Sequence, residues 1–169
     1  MTDTRDQSYP PLPIPLVVGV YDNHTHVNYA DGDNSLSVAE QLDRASSVGI
    51  RGIVQVGTDV ESSRWAADQA AREPRMLAAV AIHPNDAPDL DAAGTLDDAL
   101  AEIASLATRP RVAAIGETGL DYFRTPEEGR AAQQRSFEAH IEIAKANNLA
   151  LQIHDRDAHA AVISTHHRP

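Results

Sequence analysis

Two histidines separated by one residue, His24 and His26, follow the first apolar run of the chain, residues 17–21. Because side chains alternate along an extended strand, residues two positions apart point in the same direction. Two imidazole rings can therefore converge on one metal ion at the end of this strand. Asp22 lies beside them, and a carboxylate or carbonyl group commonly orients a metal-binding histidine. The pattern favours a metal site over the plainer alternative of one buried and one exposed histidine.

Two further groups with metal-binding chemistry follow later apolar runs. Glu117 comes after the run 112–115 and lies between Gly116 and Gly119, and glycine lets the backbone turn tightly and approach a ligand closely. A carboxylate at this point could bridge two cations, although most glutamates are simply solvated. His154 directly follows the run 150–153 and precedes a cluster of charged residues. An ordinary polar strand end would show the same pattern.

Histidine nitrogens and a carboxylate oxygen together form a ligand set that suits Zn, Mn or Mg ions. Two such ions a few ångströms apart can activate water and stabilise the departing oxygen of a phosphodiester. The net charge of −11 argues against a basic surface that holds nucleic acid. Any phosphate-bearing substrate must therefore be held locally, by metal ions or by a few basic side chains.

Five short apolar runs separated by helical stretches must position these groups. The runs are residues 17–21, 50–56, 76–82, 112–115 and 150–153. Continuously apolar strands alternating with helices are typical of a parallel sheet buried on both faces. Polar groups at the carboxyl ends of successive strands are typical of (β/α)8 barrels, which need about 250 residues. The 169 residues therefore predict an α/β fold, a partial (β/α)8 TIM barrel of about five parallel strands with intervening helices.

Helix boundaries and domain limits follow from local patterns. We predict a flexible lead-in over residues 1–15, a barrel domain over 16–162, an irregular tail over 163–169 and a loop over 84–94. Four helix starts are indicated. The first is a capping box at Ser37 and Glu40, and the second is an N-cap at Asp59. A third helix opens at Thr95, and a fourth begins with Pro126 at its first helical position.

Cysteine content, the length of the apolar runs and the first residues bear on the kind of metal site and on the location of the protein. The chain has no cysteine, which excludes disulfides and thiolate metal sites. No apolar run approaches the roughly 20 residues that span a bilayer. The acidic, proline-rich start does not resemble a signal peptide, so we expect a cytoplasmic location.

The motifs together resemble the TatD-type deoxyribonucleases, a family of metal-dependent hydrolases built on a TIM barrel. The resemblance covers about residues 16–162, and it is carried by the segments 22–26, 82–85, 115–122, 137–144 and 153–159. It implies DNA as the substrate, up to two divalent cations (Mg, Mn or Zn) as cofactors, and neither a membrane nor an obligate protein partner.

The resemblance also implies roles for individual residues. His24, His26 and Glu117 would bind one cation, Glu117 and His154 would bind a second, and Glu117 would be the catalytic residue. Two further residues, His83 and Arg156, resemble positions that line the pocket for the substrate phosphate.

The sequence departs from the family pattern after the fifth strand. The family has a further histidine ligand after strand 6 and an aspartate at the end of strand 8 that handles the proton of the attacking water. Neither has a counterpart here, so we expect weak metal binding and little or no nuclease turnover. Two alternatives stay open: another metal hydrolase of this superfamily acting on small molecules, often with a carboxylated lysine at strand 4, or an inactive barrel fragment.

Overall fold

Five parallel strands in the order β1-β2-β3-β4-β5 form the sheet of the computed structural model, which describes residues 9–29 and 36–166. This confirms the predicted partial barrel of five parallel strands, and the sheet curls so that Gln152 of the fifth strand donates a hydrogen bond to the Asn23 carbonyl of the first at 2.5 Å. The strands are β1 (Val20–Thr25), β2 (Ile50–Val56), β3 (Met76–Val80), β4 (Val112–Asp121) and β5 (Ala150–Arg156).

Three strands run further along the chain than their apolar runs predict. β1 ends at Thr25, β4 continues to Asp121, and β5 continues to Arg156. The extension has a structural cause, since β4 and β5 keep pairing past the apolar run, with Gly119 opposite His154. Several polar groups therefore lie within the strands rather than in the loops after them, and the sheet fixes their direction.

Helices fill the connections between strands. They are α1 (Val38–Ser47), α2 (Val60–Ala70), α3 (Ala87–Ala92), α4 (Leu96–Ala107), α5 (Arg130–Asn147) and α6 (His159–His166). The predicted capping box at Ser37 and Glu40 is confirmed, as are the N-caps Asp59 and Thr95.

The structure corrects three local predictions. The predicted loop 84–94 contains α3, whose Ala87 is fully buried. Pro126 precedes a short 3₁₀ turn, Glu127–Gly129, and α5 begins only after it. The predicted irregular tail from residue 163 is helical to His166, because Val162 packs against the cluster of Leu120 and Phe137. Residues 167–169, and 1–8 of the predicted lead-in, lie outside the described part.

Helices pack on the outer face of the sheet and bury most of the core. The outer cluster includes Leu42, Ile53, Met76, Val80, Ile103 and Ile115. The inner face carries a much smaller cluster of Val56, Ala79 and Ala114. This difference is what one half of a barrel should show, with a complete outer layer and a shallow interior. No helix in the described segments is long and apolar enough to cross a membrane.

The two outer strands, β1 and β5, each pair with a neighbour on one side within the described residues. β1 is exposed along most of its length, with Val20 at 45% and Tyr21 at 71%. Unpaired edges with apolar side chains are templates for association. We therefore expect concentration-dependent self-association in sedimentation velocity, weakened by V20K, because lysine is a natural edge blocker. A monodisperse monomer across the whole concentration range would contradict this.

Candidate metal centre

The carboxyl edge of the sheet gathers the four predicted ligands. His24 lies in β1, His26 follows it, Glu117 lies in β4 and His154 in β5. The Nε2 atoms of His24 and His26 are 3.3 Å apart, so alternation along the strand does place both rings on one side. One ligand atom from each of His24, His26 and Glu117 falls within 4.8 Å of the others. The structure thus brings the four residues together, and their role as ligands remains a proposal.

Glu117 stands between two groups of histidines. Its Oε2 atom lies 3.5 Å from Nε2 of His24, and its Oε1 atom lies 2.8 Å from Nδ1 of His154. His83, Glu117 and His154 form the second group of convergent ligand atoms. Each carboxylate oxygen therefore faces a different group, which is the geometry that a carboxylate shared by two cations requires.

A backbone carbonyl orients His26. Nδ1 of His26 donates to the Val56 carbonyl at 3.0 Å, which leaves the lone pair of Nε2 directed at the site. Asp22, the expected orienting carboxylate, accepts instead from the His24 backbone N–H at 3.1 Å. Asp22 therefore does not contact either ring here, and the oxygen that orients the ring of His26 is the Val56 carbonyl.

Asp121 orients His154, a role that the sequence reasoning missed. Its Oδ2 atom lies 3.1 Å from Nε2 of His154, and its side chain is only 1% exposed. With Nε2–H held there, Nδ1 is the atom that faces Glu117. The spacing of Glu117 and Asp121, four residues apart in one extended segment, could have indicated this, because such residues share a face.

The ionised form of Asp121 is stabilised inside the protein. Burial acts to raise the pKa of this carboxyl, but hydrogen bonds from the Arg124 backbone N–H, His154 and Asn85 outweigh it and leave the pKa below its ordinary value. The carboxylate is therefore charged at neutral pH, and it can hold the Nε2 proton of His154.

The two glycines near Glu117 allow the backbone of the neighbouring strand, rather than a ligand, to approach closely. A Cβ at Gly116 would lie 2.5 Å from Cβ of Gln152, and one at Gly119 would overlap the His154 carbonyl oxygen. Gly119 also has a φ of +134°, which side chains rarely tolerate. Close approach was expected at these glycines, and the approaching group is the backbone of β5, which brings His154 against Glu117.

His83 contacts the centre with a different hydrogen-bonding pattern. Its ring centroid lies 4.6 Å from that of His154, and its Nδ1 accepts the Asn85 backbone N–H at 3.1 Å. Burial lowers the pKa of His83, so the ring is neutral at pH 7 and carries its proton on Nε2. A protonated Nε2 is a donor, which suits a phosphate oxygen better than a cation.

Arg156 lies at the end of β5, two residues beyond His154. Its guanidinium stacks over the Phe123 ring at 4.0 Å from the centroid, and its backbone carbonyl accepts from Tyr122 at 2.8 Å. The stacked guanidinium keeps its donors available in the plane of the group. The structure places Arg156 at the same edge as the cluster, and its contact with a substrate phosphate stays a prediction.

The chemistry of the donor atoms fits divalent cations. The first group offers two imidazole nitrogens and one oxygen of Glu117, and the second offers Nδ1 of His154 and the other oxygen of Glu117, which are donor types that divalent cations accept. The two groups share a negative charge through Glu117. The arrangement defines a class of protein, an α/β half-barrel with a candidate two-cation site at the carboxyl edge of its sheet.

Comparison with known proteins identifies the family. The family model described as TatD related DNase matches residues 21–168, and the chain belongs to this family. It is 37% identical over 146 residues to the uncharacterized metal-dependent hydrolase TatD of Mycobacterium tuberculosis, covering 84% of this chain and 53% of that protein. It is 37% identical over 119 residues to the 3′-5′ ssDNA/RNA exonuclease TatD of Salmonella typhimurium, covering 69% of this chain and 42% of that protein.

Solved structures show the same fold. YJJV, a TatD homolog from Escherichia coli, superposes with a TM-score of 0.70 at 22% identity, over 86% of this chain and 54% of that one. An uncharacterized amidohydrolase from Saccharomyces cerevisiae gives a TM-score of 0.68 at 17% identity, over 90% and 51% of the two chains. The chain spans about half the length of the relatives that it matches.

Proposed function

We propose that this chain holds up to two divalent cations through His24, His26, Glu117 and His154, and that the site acts on phosphodiester bonds of single-stranded DNA. The observation that carries the proposal is the position of Glu117, whose two oxygens face two separate histidine groups. Family membership supports the metal-dependent chemistry, and the name of the Salmonella relative supports single-stranded nucleic acid as the substrate class.

Each residue of the site has a separate role in such a reaction. Bound divalent cations would supply Lewis acidity, which activates water and neutralises charge on the phosphate. Glu117 is the proposed catalytic residue, since it joins the two groups. His83 offers its Nε2 proton to a phosphate oxygen, and Arg156 offers the fixed donors of a stacked guanidinium. Asp121 positions His154 by holding its Nε2 proton.

A small-molecule hydrolase with a carboxylated lysine is disfavoured. The only lysine of the chain is Lys145, which lies on α5 and pairs with Glu142 at 2.9 Å. Its side chain is 55% exposed, and it lies on an outer helix rather than in β4, where such a bridging ligand would be needed. The yeast amidohydrolase, at 17% identity, has the same fold, and this likeness says nothing more about function.

The test measures binding and turnover separately, so that each can fail alone. A fluorescent single-stranded phosphorothioate oligonucleotide resists cleavage, and its anisotropy reports binding with Mn²⁺ or with a chelator. We expect binding that requires Mn²⁺ and is lost in E117Q, with slow cleavage of the ordinary oligonucleotide under enzyme excess. Binding that is equal with metal and with chelator would contradict the proposal, and metal binding without any cleavage would favour the inactive-fragment alternative.

The second cation group gives a separate prediction. D121N keeps the size of the side chain but removes the charge that fixes the Nε2 proton of His154. Loss of such an orienting carboxylate typically costs about 10- to 100-fold in metal affinity. We expect the weaker Mn²⁺ step in calorimetry to shift by that factor, while the step assigned to His24 and His26 stays in place. The exposed D157N variant is the matched control, and equal effects of D121N and D157N would count against the role of Asp121.

A further inference from the structure

A cavity of about 310 Å³ lies directly beside the candidate metal centre. Asn28 and Tyr29, which follow β1, form one wall, and Thr58, Asp59, Glu61 and Trp65 form the other, where β2 leads into α2. This volume falls at the lower end of the range of about 300–1,000 Å³ that is typical of small-molecule sites. None of the lining residues belongs to the ligand cluster of His24, His26, Glu117 and His154.

Two contacts connect the cavity to the site. The Tyr29 ring lies 5.6 Å, centroid to centroid, from the ring of His26. The Thr58 carbonyl accepts the His83 backbone N–H at 2.7 Å. The lining of the cavity therefore contacts His26 and His83 of the candidate centre, so a molecule held at the centre lies next to the cavity.

The lining chemistry selects against phosphate and in favour of a flat uncharged ring. Asp59 and Glu61 are acidic, and the lining contains no lysine or arginine. Tyr29 is 64% exposed and Trp65 is half-buried, and both line the cavity. Aromatic side chains stack unpaired bases with little sequence preference, and carboxylates accept hydrogen bonds from exocyclic amino groups.

We propose that this cavity is a subsite for one nucleobase of a single-stranded substrate, the base next to the phosphodiester held at the metal centre. Tyr29 and Trp65 are its stacking partners. The inference rests on the proposed function, because a base is expected in this cavity only if a single-stranded nucleic acid is the substrate of the neighbouring site. It adds a source of affinity that an acidic protein with few cationic side chains at its site otherwise lacks.

Trp65 provides a direct readout, since it is the only tryptophan of the chain. Its fluorescence is followed while adenosine 5′-monophosphate is added with EDTA present, so that no metal takes part. Ribose 5-phosphate, which has the sugar and phosphate but no base, is the comparison ligand. We expect saturable quenching by the nucleotide and none by the sugar phosphate.

Variants then separate stacking from general effects. Y29A should weaken nucleotide binding about tenfold or more, and Y29F should retain it, since only the ring is needed. Y21A removes an exposed aromatic of β1 that does not line the cavity, and it should leave the affinity unchanged.

Each outcome bears on one proposal only. Equal quenching by both ligands, or equal affinities of Y29A and Y21A, would overturn the base subsite. Because the titration contains no metal, it can succeed even if metal-dependent cleavage is never seen, in which case the subsite stands and the proposed chemistry fails. Metal-dependent binding of the phosphorothioate that is unaffected by Y29A would leave the chemistry standing and remove the subsite.

Discussion

The E117Q variant should lose affinity for divalent cations at both histidine groups together. Gln keeps the shape of the side chain but removes the negative charge that Glu117 presents to His24 and to His154. A cation would then face mostly neutral imidazoles. We expect Mn²⁺ affinity, measured by calorimetry, to fall by about 100-fold or more, beyond the range of about 10- to 100-fold for residues that only orient a ligand.

Comparison variants make this prediction specific to a shared ligand. H26A removes a member of the first group only, so one binding step should weaken and the other should persist. E128Q alters an acidic residue of the 3₁₀ turn away from the cluster and should change nothing. If E117Q weakened a single step, as H26A does, Glu117 would belong to one group and the two-cation interpretation would be wrong.

The gathering of the four predicted ligands could be foreseen because it depends on rules that hold for every parallel sheet. Alternation places His24 and His26 on one side, and the common carboxyl edge brings Glu117 and His154 to the same place. Strand order was predictable for the same reason, since short right-handed crossovers leave few alternatives. The capping residues Ser37 and Asp59 were readable locally, because a cap involves only its own helix.

The features that the sequence did not predict depend on which backbone segments lie next to each other in the folded chain. Val56 orients His26 through a carbonyl group, and since every residue has one, no sequence pattern marks it. The role of Asp121 depends on the length of β4, which continues past the apolar run to include this residue. The role of Gly119 depends on the path of β5, and the helix α3 depends on the burial of Ala87, which are both matters of tertiary packing.

His140 belongs to the segment 137–144, which resembles the family pattern, but its structural role is in the core. It is fully buried, and its Nε2 accepts the Ile82 backbone N–H at 3.0 Å. Its Nδ1 lies 2.7 Å from the Ser136 carbonyl and 3.0 Å from Oγ1 of Thr118. The neutral ring thus joins α5 to the ends of β3 and β4, next to the segment that carries Glu117.

Burial of the neutral ring makes stability depend on pH. Desolvation lowers the pKa of His140 from an ordinary value of 6.5 to about 4, because a buried imidazolium would lose its hydration, and the contact with the Ser136 carbonyl offsets only part of this loss. The unfolded chain therefore binds more protons between these two values. The stabilising contribution is fully present above pH 6.5 and is lost as the pH falls toward 4, with a total of about 3 kcal/mol.

Urea unfolding with EDTA present should reveal this loss. Between pH 7 and pH 5 the free energy of unfolding should fall by about 2 kcal/mol through His140. H140Q, which removes the buried imidazole and keeps a polar side chain, is the matched comparison. That variant should be less stable at pH 7, where the bond to Ile82 is weakened, but its stability should fall less steeply toward pH 5. Parallel curves for the two proteins would show that His140 is not held neutral in the folded state.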